Sequence, residues 1–133
     1  MIDLYHDREI ETMDKEALGA LQLLRYKKTV ANALKTPFYK KRLRNVGIKS
    51  AEDLKSLSDI KKIPFTTKED LREAYPFGLM ASDREDVVRM HASSGTTGIP
   101  TVIYQTQGDL DRWTDLTTRS LVSVGCHRGD IFQ

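Results

Sequence analysis

Cysteine is almost missing from this sequence, with Cys126 standing alone. One thiol makes no internal disulfide, and no metal-ligand spacing surrounds it. The chain therefore reads as a protein of a reducing, cytoplasmic setting, and Cys126 as an inert buried or boundary thiol. Long apolar runs are missing as well: no stretch of 18 apolar residues occurs, which excludes a membrane-spanning helix. The opening Met1-Ile2-Asp3-Leu4-Tyr5-His6-Asp7 lacks the basic and apolar regions of a signal peptide. A net charge of +2 over 133 residues is too small to point to nucleic acid. One further absence is local. No acidic residue lies between Ala17 and Ala51, where nine basic ones crowd: Arg25, Lys27, Lys28, Lys35, Lys40, Lys41, Arg42, Arg44 and Lys49. Solvated helix faces account for such a stretch. A basic surface turned toward an anionic ligand or an acidic partner is the sharper reading, and spacing along the chain does not separate the two.

What is there begins with helices. Asp14 to Lys35 reads as a helix capped by Asp14. Leu23, Tyr26, Val30 and Leu34 form one apolar stripe; Ala17, Leu21, Leu24 and Ala31 form a second, and both are expected in the core. Pro37 marks a boundary, and Phe38 to Val46 reads as a second helix stopped by Gly47. Ser50 is placed to cap a short helix over residues 51–57, with a brief turn over 58–63. Thr66 and Glu69 have the spacing of a capping box that opens a helix running to Ala74, ended by Tyr75-Pro76.

The pattern changes after residue 80. Val87 to Ala92 and Thr101 to Gln105 read as strands with a Gly/Ser/Thr loop between them. Thr106 and Asp109 can cap a long helix whose buried face is expected at Leu110, Trp113, Thr117, Leu121 and Val124, with Gly125 as its stop. Trp113 is accordingly expected in the core rather than in a substrate pocket, His6 and His127 at the surface, and His91 at a strand end beside the loop. Gly129-Asp130-Ile131-Phe132 looks like the approach to another strand. Two strands and a stump make a poor independent sheet, so the sequence reads as cut from a longer protein at Gln133, with apolar surface left over that allows pairing with another copy.

The segment Ser93-Ser94-Gly95-Thr96-Thr97-Gly98 is the chemically loaded one. Glycines let the backbone approach a ligand, and hydroxyls with free N–H groups bind phosphate oxygens. Composition alone also fits an ordinary loop. A Walker A loop fails on spacing: the sixth position from Gly95 is Pro100, and no Lys follows. A nucleophile elbow fails too, because Ala92-Ser93-Ser94-Gly95 lacks the first glycine and leads into a strand.

Ser-Ser-Gly-Thr-Thr-Gly-Ile-Pro-Thr, residues 93–101, resembles the phosphate loop of the adenylate-forming enzymes, in particular their phenylacetate–CoA ligase branch. Thr36-Pro37-Phe38-Tyr39, Ile63-Pro64-Phe65-Thr66-Thr67-Lys68-Glu69-Asp70-Leu71-Arg72, Tyr75-Pro76-Phe77-Gly78-Leu79 and His91-Ala92 resemble further segments of that branch. So do Asp109-Leu110 with Trp113, Arg119-Ser120-Leu121 and Gly129-Asp130. The likeness runs from about Leu18 onward.

The resemblance implies an α/β fold: a helical N-terminal subdomain over 1–80, then over 81–133 the first strands and helix of an adenylate-forming enzyme's N-terminal domain, truncated. It implies an ATP-dependent ligase that activates an aryl acid, phenylacetate foremost, as an acyl-adenylate and passes it to CoA with release of AMP and pyrophosphate. ATP, Mg²⁺ and CoA would be its cofactors and co-substrates; nucleic acid and membrane would not be partners. Ser93, Ser94, Gly95, Thr96, Thr97 and Gly98 would hold the ATP phosphates, with Thr96 and Thr97 foremost. Many family members carry Lys after the second glycine, and others in the superfamily carry Lys after the proline; here Ile99 and Thr101 stand there, so the loop has no cation of its own. The family's acyl pocket, nucleotide contacts, Mg²⁺-binding acid and catalytic Lys lie further along than Gln133, which implies no catalytic or metal-binding residue here and an inactive fragment. The competing readings are an adenylating ligase for another carboxylic acid and a non-catalytic helical interaction module.

Overall fold

A computed structural model describes residues 3–93 and 100–131. Among them the chain forms five α-helices, three short 3₁₀ helices and one antiparallel strand pair. α1 spans Arg8–Glu11, α2 Lys15–Ala33 and α3 Pro37–Asn45. Two 3₁₀ helices follow, Ala51–Asp53 and Leu57–Lys62, and then α4, Lys68–Glu73. The third, Arg84–Asp86, leads into β1, Val87–Ala92; β2 is Val102–Thr106 and α5 Gln107–Ser123. The result is a small α/β arrangement with its helices first, as the pattern of residues predicts.

The helix signals in the sequence work as local chemistry. Asp14 accepts from the N–H groups of Glu16 and Ala17 and starts α2. Pro37 sits at the first position of α3, where its lack of an N–H costs nothing, and Thr36 caps it. The Thr36 hydroxyl accepts from Tyr39 N–H at 3.3 Å and donates to the Ala33 carbonyl at 2.9 Å, so this threonine is fully buried without an unmet polar atom. Gly47 and Gly125 both take positive φ, 83° and 91°, directly after helix caps. In each case the next residue's N–H returns to the third carbonyl from the helix end: Ile48 to Leu43 at 2.9 Å, Cys126 to Leu121 at 3.0 Å. The first of these closures also brings Ile48 onto Leu43 in the core.

That core lies in the helical half. Val30, Leu43, Ile48 and Leu54 are buried, with Tyr26, Ala33, Leu34, Tyr39, Val46 and Ile63 against them. The first expected stripe of α2 is thus the buried one. The second is not: Ala17, Leu24 and Ala31 are exposed and Leu21 is half-buried, while the core residues Leu43, Ile48 and Leu54 gather around Val30 of the first stripe.

Three boundaries also differ from expectation. The helix expected over 51–57 is a single 3₁₀ turn, Ala51–Asp53, while the brief turn expected over 58–63 is the 3₁₀ helix Leu57–Lys62; each is opened by a serine followed at the third position by an aspartate, Ser50 with Asp53 and Ser56 with Asp59. The capping box of α4 is Thr67 with Asp70, one residue later than Thr66 with Glu69. Both registers satisfy the sequence rule, and tertiary contacts select one: the Thr66 hydroxyl is at 2.7 Å from the Tyr39 hydroxyl and Asp70 is held by Arg42. β2 starts at Val102, since the Thr101 backbone is bonded to Ser93 outside the strand pair.

The N-terminal segment carries no strong sequence signal and is tied to α5 by charge. Glu11 meets the Arg119 guanidinium at 3.3 Å, and the His6 Nε2 lies 2.9 Å from Asp115. No helix among the described residues is long and apolar enough to cross a membrane.

Candidate functional site

β1 and β2 pair antiparallel, with Arg89 opposite Gln105, Met90 opposite Tyr104, His91 opposite Ile103 and Ala92 opposite Val102. A bulge between Val87 and Arg89 twists the far end of the pair. At the near end the chain leaves β1 at Ser93 and returns at Thr101. Ser93 N–H donates to the Thr101 carbonyl at 2.9 Å, and Thr101 N–H donates to Ser93 Oγ at 2.9 Å. Side chain and main chain of Ser93 together clasp the mouth of the hairpin. Of the six residues expected to hold phosphates, Ser93 is therefore placed at the loop's root. Its oxygen already accepts a hydrogen bond from Thr101, and its O–H proton meets no acceptor among the described residues. Ser94, Gly95, Thr96, Thr97 and Gly98 lie outside the described residues, as does Ile99.

Thr101 stands at the return of the loop to the strand pair. Its hydroxyl is buried and meets no hydrogen-bond partner among the described residues. Together with the Ser93 proton it offers two hydroxyls at the loop's root and no positive charge. Sequence spacing gives no signal for the Ser93–Thr101 clasp, because an eight-residue separation is bridged only once the two strands pair.

His91, two residues before the loop's root, is exposed and lies edge-on to Trp113 of α5, with ring centroids 5.5 Å apart. The α5 start is fixed by its capping box: Thr106 Oγ1 accepts from Asp109 N–H at 3.3 Å and donates to the Asp109 carboxylate at 2.8 Å, which in turn accepts from Thr106 N–H at 3.0 Å. The Thr106 N–H, against the opposing effect of burial, holds the Asp109 carboxyl below its ordinary range. The helix is where expected, but its expected buried face is not buried. Trp113 is 48% exposed, Leu121 39% and Val124 75%, and Leu110 is half-buried. Trp113 as a core residue is thereby corrected: its ring meets His91 of β1 and stays about half exposed. Ile131, expected to approach a further strand, forms none among the described residues and is exposed; Phe132 lies outside them.

The basic stretch divides. Arg42 forks onto Asp70, and Lys27 meets Glu52 at 2.8 Å. The other seven cations form no ion pair with a described residue; Lys40, Lys41 and Arg44 line a shallow groove along α3 with Pro37 and Asn45. A larger hollow of about 860 Å³ runs between α2–α3, the segment 74–86, β2 and the start of α5. Ser93 is not among its described walls. His6 and His127 are exposed as expected, each beside a carboxylate, and Cys126 is half-buried and free.

No group of three or more His, Cys, Asp or Glu side chains able to hold a metal occurs among the described residues. The hairpin root fits a phosphate only as a hydrogen-bond donor.

Comparison with known proteins places this geometry. No family model matches the chain. A phenylacetate-coenzyme A ligase of Thermus thermophilus is 44% identical over 95% of the chain. One of Aromatoleum evansii is 47% identical over 92%, and one of Escherichia coli 46% identical over 87%. The chain spans 28%, 28% and 26% of those proteins. Among solved structures, the crystal structure of a 2-hydroxyisobutyryl-CoA ligase, in complex with 2-HIB-AMP and CoA, superposes with a TM-score of 0.85 at 28% identity. That match covers 96% of this chain and 28% of the other.

Proposed function

We propose that this chain, which belongs to the phenylacetate–coenzyme A ligase family and matches about 28% of its members' length, supplies the phosphate-holding hairpin of an AMP-forming acid–CoA ligase. The reaction it would serve has two steps. A carboxylate attacks the α-phosphate of ATP, giving an acyl-adenylate and pyrophosphate; the CoA thiol then displaces AMP to give the thioester. The residues we assign to the triphosphate are Ser93, Ser94, Gly95, Thr96, Thr97 and Gly98, with residues 1–80 as a helical subdomain and 81–133 as the start of the ATP-binding region. Catalysis of this kind is mostly positioning and charge stabilisation. A loop held at its root by a rigid strand pair suits the first task, and the lack of a lysine at positions 99 and 101 leaves the second to groups outside the loop. On this reading neither the residue that completes catalysis nor the carboxylates for Mg²⁺ belong to these 133 residues, and the chain alone does not turn over.

The observation that carries the proposal is identity of 40–47% with phenylacetate-coenzyme A ligases across 87–97% of the chain. It favours an aryl acid, with phenylacetate first. The superposition on a 2-hydroxyisobutyryl-CoA ligase, at only 28% identity, supports a second reading in which the acid is aliphatic.

The test is a chimera in which this chain replaces the matching segment of the Thermus thermophilus ligase. Substrate-dependent ATP–pyrophosphate exchange is measured with phenylacetate, benzoate and 2-hydroxyisobutyrate. Exchange is expected with phenylacetate foremost, and Thr96→Ala or Thr97→Ala should lower it by about tenfold or more, the loss of one hydrogen bond to a charged acceptor. A soluble chimera whose exchange is untouched by either substitution would remove the loop from the mechanism.

A further inference from the structure

Residues 3–12 lie on α5 without a buried side chain of their own; Asp7, Ile10 and Glu11 are half-buried and the rest are exposed. What joins segment and helix is a run of four side chains that alternate in charge once the histidine is protonated: His6, Asp115, Arg119, Glu11. His6 Nε2 lies 2.9 Å from Asp115 Oδ1, Asp115 Oδ2 3.6 Å from Arg119 Nη2, and Arg119 Nε 3.3 Å from Glu11 Oε1. Glu11 closes the run into a ring, because the same Oε1 accepts from His6 N–H at 3.2 Å and from Asp7 N–H at 2.8 Å. Asp115 and Arg119 stand one turn apart on α5, so a single helix face grips both residue 6 and residue 11. The grip is imperfect. Arg119 Nε is buried, yet among the described residues no acceptor meets it with hydrogen-bond geometry. A buried N–H without an aligned acceptor works against the closed state.

We propose that residues 3–12 are a pH-sensitive ionic latch on α5, closed while His6 is protonated and loosened when it is neutral. Histidine is the side chain that changes charge between about pH 5 and pH 8. Among the described residues, the charged groups bonded to His6 or to its partner are Asp115 and Arg119 of α5 and Glu11 of its own segment; Asp3 and Arg8 pair with each other. Two carboxylates against one guanidinium leave the ring short of one positive charge, which a protonated His6 supplies. Asp115 then sits between two cations. With a neutral ring the Asp115 contact remains as an uncharged hydrogen bond, and the ring carries an unbalanced negative charge. Latch strength is therefore present at the lower pH and lost as pH rises. Asp115 and Arg119 follow Trp113 by two and six residues, which puts them roughly on the opposite side of α5. Opening thus uncovers one side of the helix and leaves the Trp113–His91 contact on the other. None of this depends on the ligase reading.

Hydrogen–deuterium exchange read by mass spectrometry tests the latch in the full chain and in the chimera. A peptide from residues 3–12 is followed at about pH 6 and about pH 8, on either side of the histidine transition, with labelling times scaled to the intrinsic exchange rate. A peptide from α2 serves as the reference. Protection of residues 3–12 is expected to fall by about two- to fivefold from the lower pH to the higher, the modest effect of a partly exposed ion pair, while the reference stays constant. His6→Gln keeps a hydrogen-bond donor and cannot be protonated, so it should remove the pH dependence and leave the segment loose at both values. Asp115→Asn, which takes away the anion and leaves His6 in place, should flatten it as well. Glu11→Gln and Arg119→Gln should each loosen the segment, and the double variant should lose less than their sum. Equal protection at both pH values in the unsubstituted chain overturns the latch. So does a pH dependence that survives His6→Gln or Asp115→Asn, a strictly additive double variant, or a pH effect shared by the reference peptide. Where chain and chimera disagree, the chimera decides.

Discussion

Arg42 and Asp70 form a two-pronged ion pair across 28 residues of chain: Nη1 donates to Oδ2 at 3.0 Å and Nη2 to Oδ1 at 2.6 Å. The same guanidinium donates to the Phe65 carbonyl at 3.0 Å and lies 4.4 Å from the centre of the Phe38 ring. The same carboxylate accepts from Thr67 N–H at 2.8 Å, closing the capping box of α4. One contact thus fixes α3 to the start of α4 and selects the helix register. A lysine at position 42 keeps the charge and loses the fork. Arg42→Lys and Asp70→Asn should each lower the melting temperature by several degrees, and the double variant should lose less than their sum. Additive losses in thermal melts would mean that the two side chains act independently.

The core is small, with Val30, Leu43, Ile48 and Leu54 as its buried apolar members. Leu54→Ala and Leu43→Ala should each cost about 2–5 kcal/mol in urea denaturation, a large share of the stability of any small domain. Phe65→Ala, at a side chain 94% exposed, should change it by less than about 0.5 kcal/mol.

Gly47 takes a φ of 83°, where a side chain would meet no atom within 4 Å. The cost of Gly47→Ala is therefore backbone strain alone, about 1–2 kcal/mol. Gly47→Asn should recover part of it, since asparagine tolerates this conformation better than alanine. Equal losses for both, measured by thermal or chemical denaturation, would place the cost in something other than backbone conformation.

The carboxylates that cap helices set the acid limit of the fold. Asp59 is lowered from 3.8 to about 2, by the Lys62 ammonium first and then by the N–H groups of Ser56 and Lys55. Asp53 is lowered by the N–H groups of Ser50 and Lys49, and Asp70 by Thr67 N–H and, against burial, by Arg42. Depressed carboxylates contribute stability that is present above the unfolded pKa and is lost as pH falls through the folded one. The melting temperature should therefore hold down to about pH 4 and fall between about pH 4 and pH 2. Asp59→Asn should lower it at neutral pH and flatten that fall.

Much of the local structure is legible in the sequence. Asp14, Thr106 with Asp109, Gly47 and Gly125 mark helix ends because each solves a hydrogen-bond or backbone problem within four residues of itself. Where two local solutions compete, as for Thr66 with Glu69 against Thr67 with Asp70, sequence rules are indifferent, and a distant residue, Arg42, decides. The N-terminal helix is not legible, because its main anchors, Arg119 and Asp115, come from the other end of the chain. At the candidate site, the clasp of Ser93 on Thr101 and the meeting of His91 with Trp113 cannot be read from sequence alone, because each joins residues far apart in the chain.

By itself the sequence determined where most helices start and stop, and it carries the likeness to the phenylacetate-coenzyme A ligases. These follow from residue type and short spacing, and the physics behind them is local. The tertiary structure alone decided which apolar stripes are buried. Val30 and Trp113 stand on equally plausible stripes, yet one is in the core and the other is 48% exposed. Periodicity specifies a face, and burial needs a second surface to meet it. α2 finds that surface in Leu43, Ile48 and Leu54, whereas α5 meets the hairpin and, through ion pairs, the N-terminal segment.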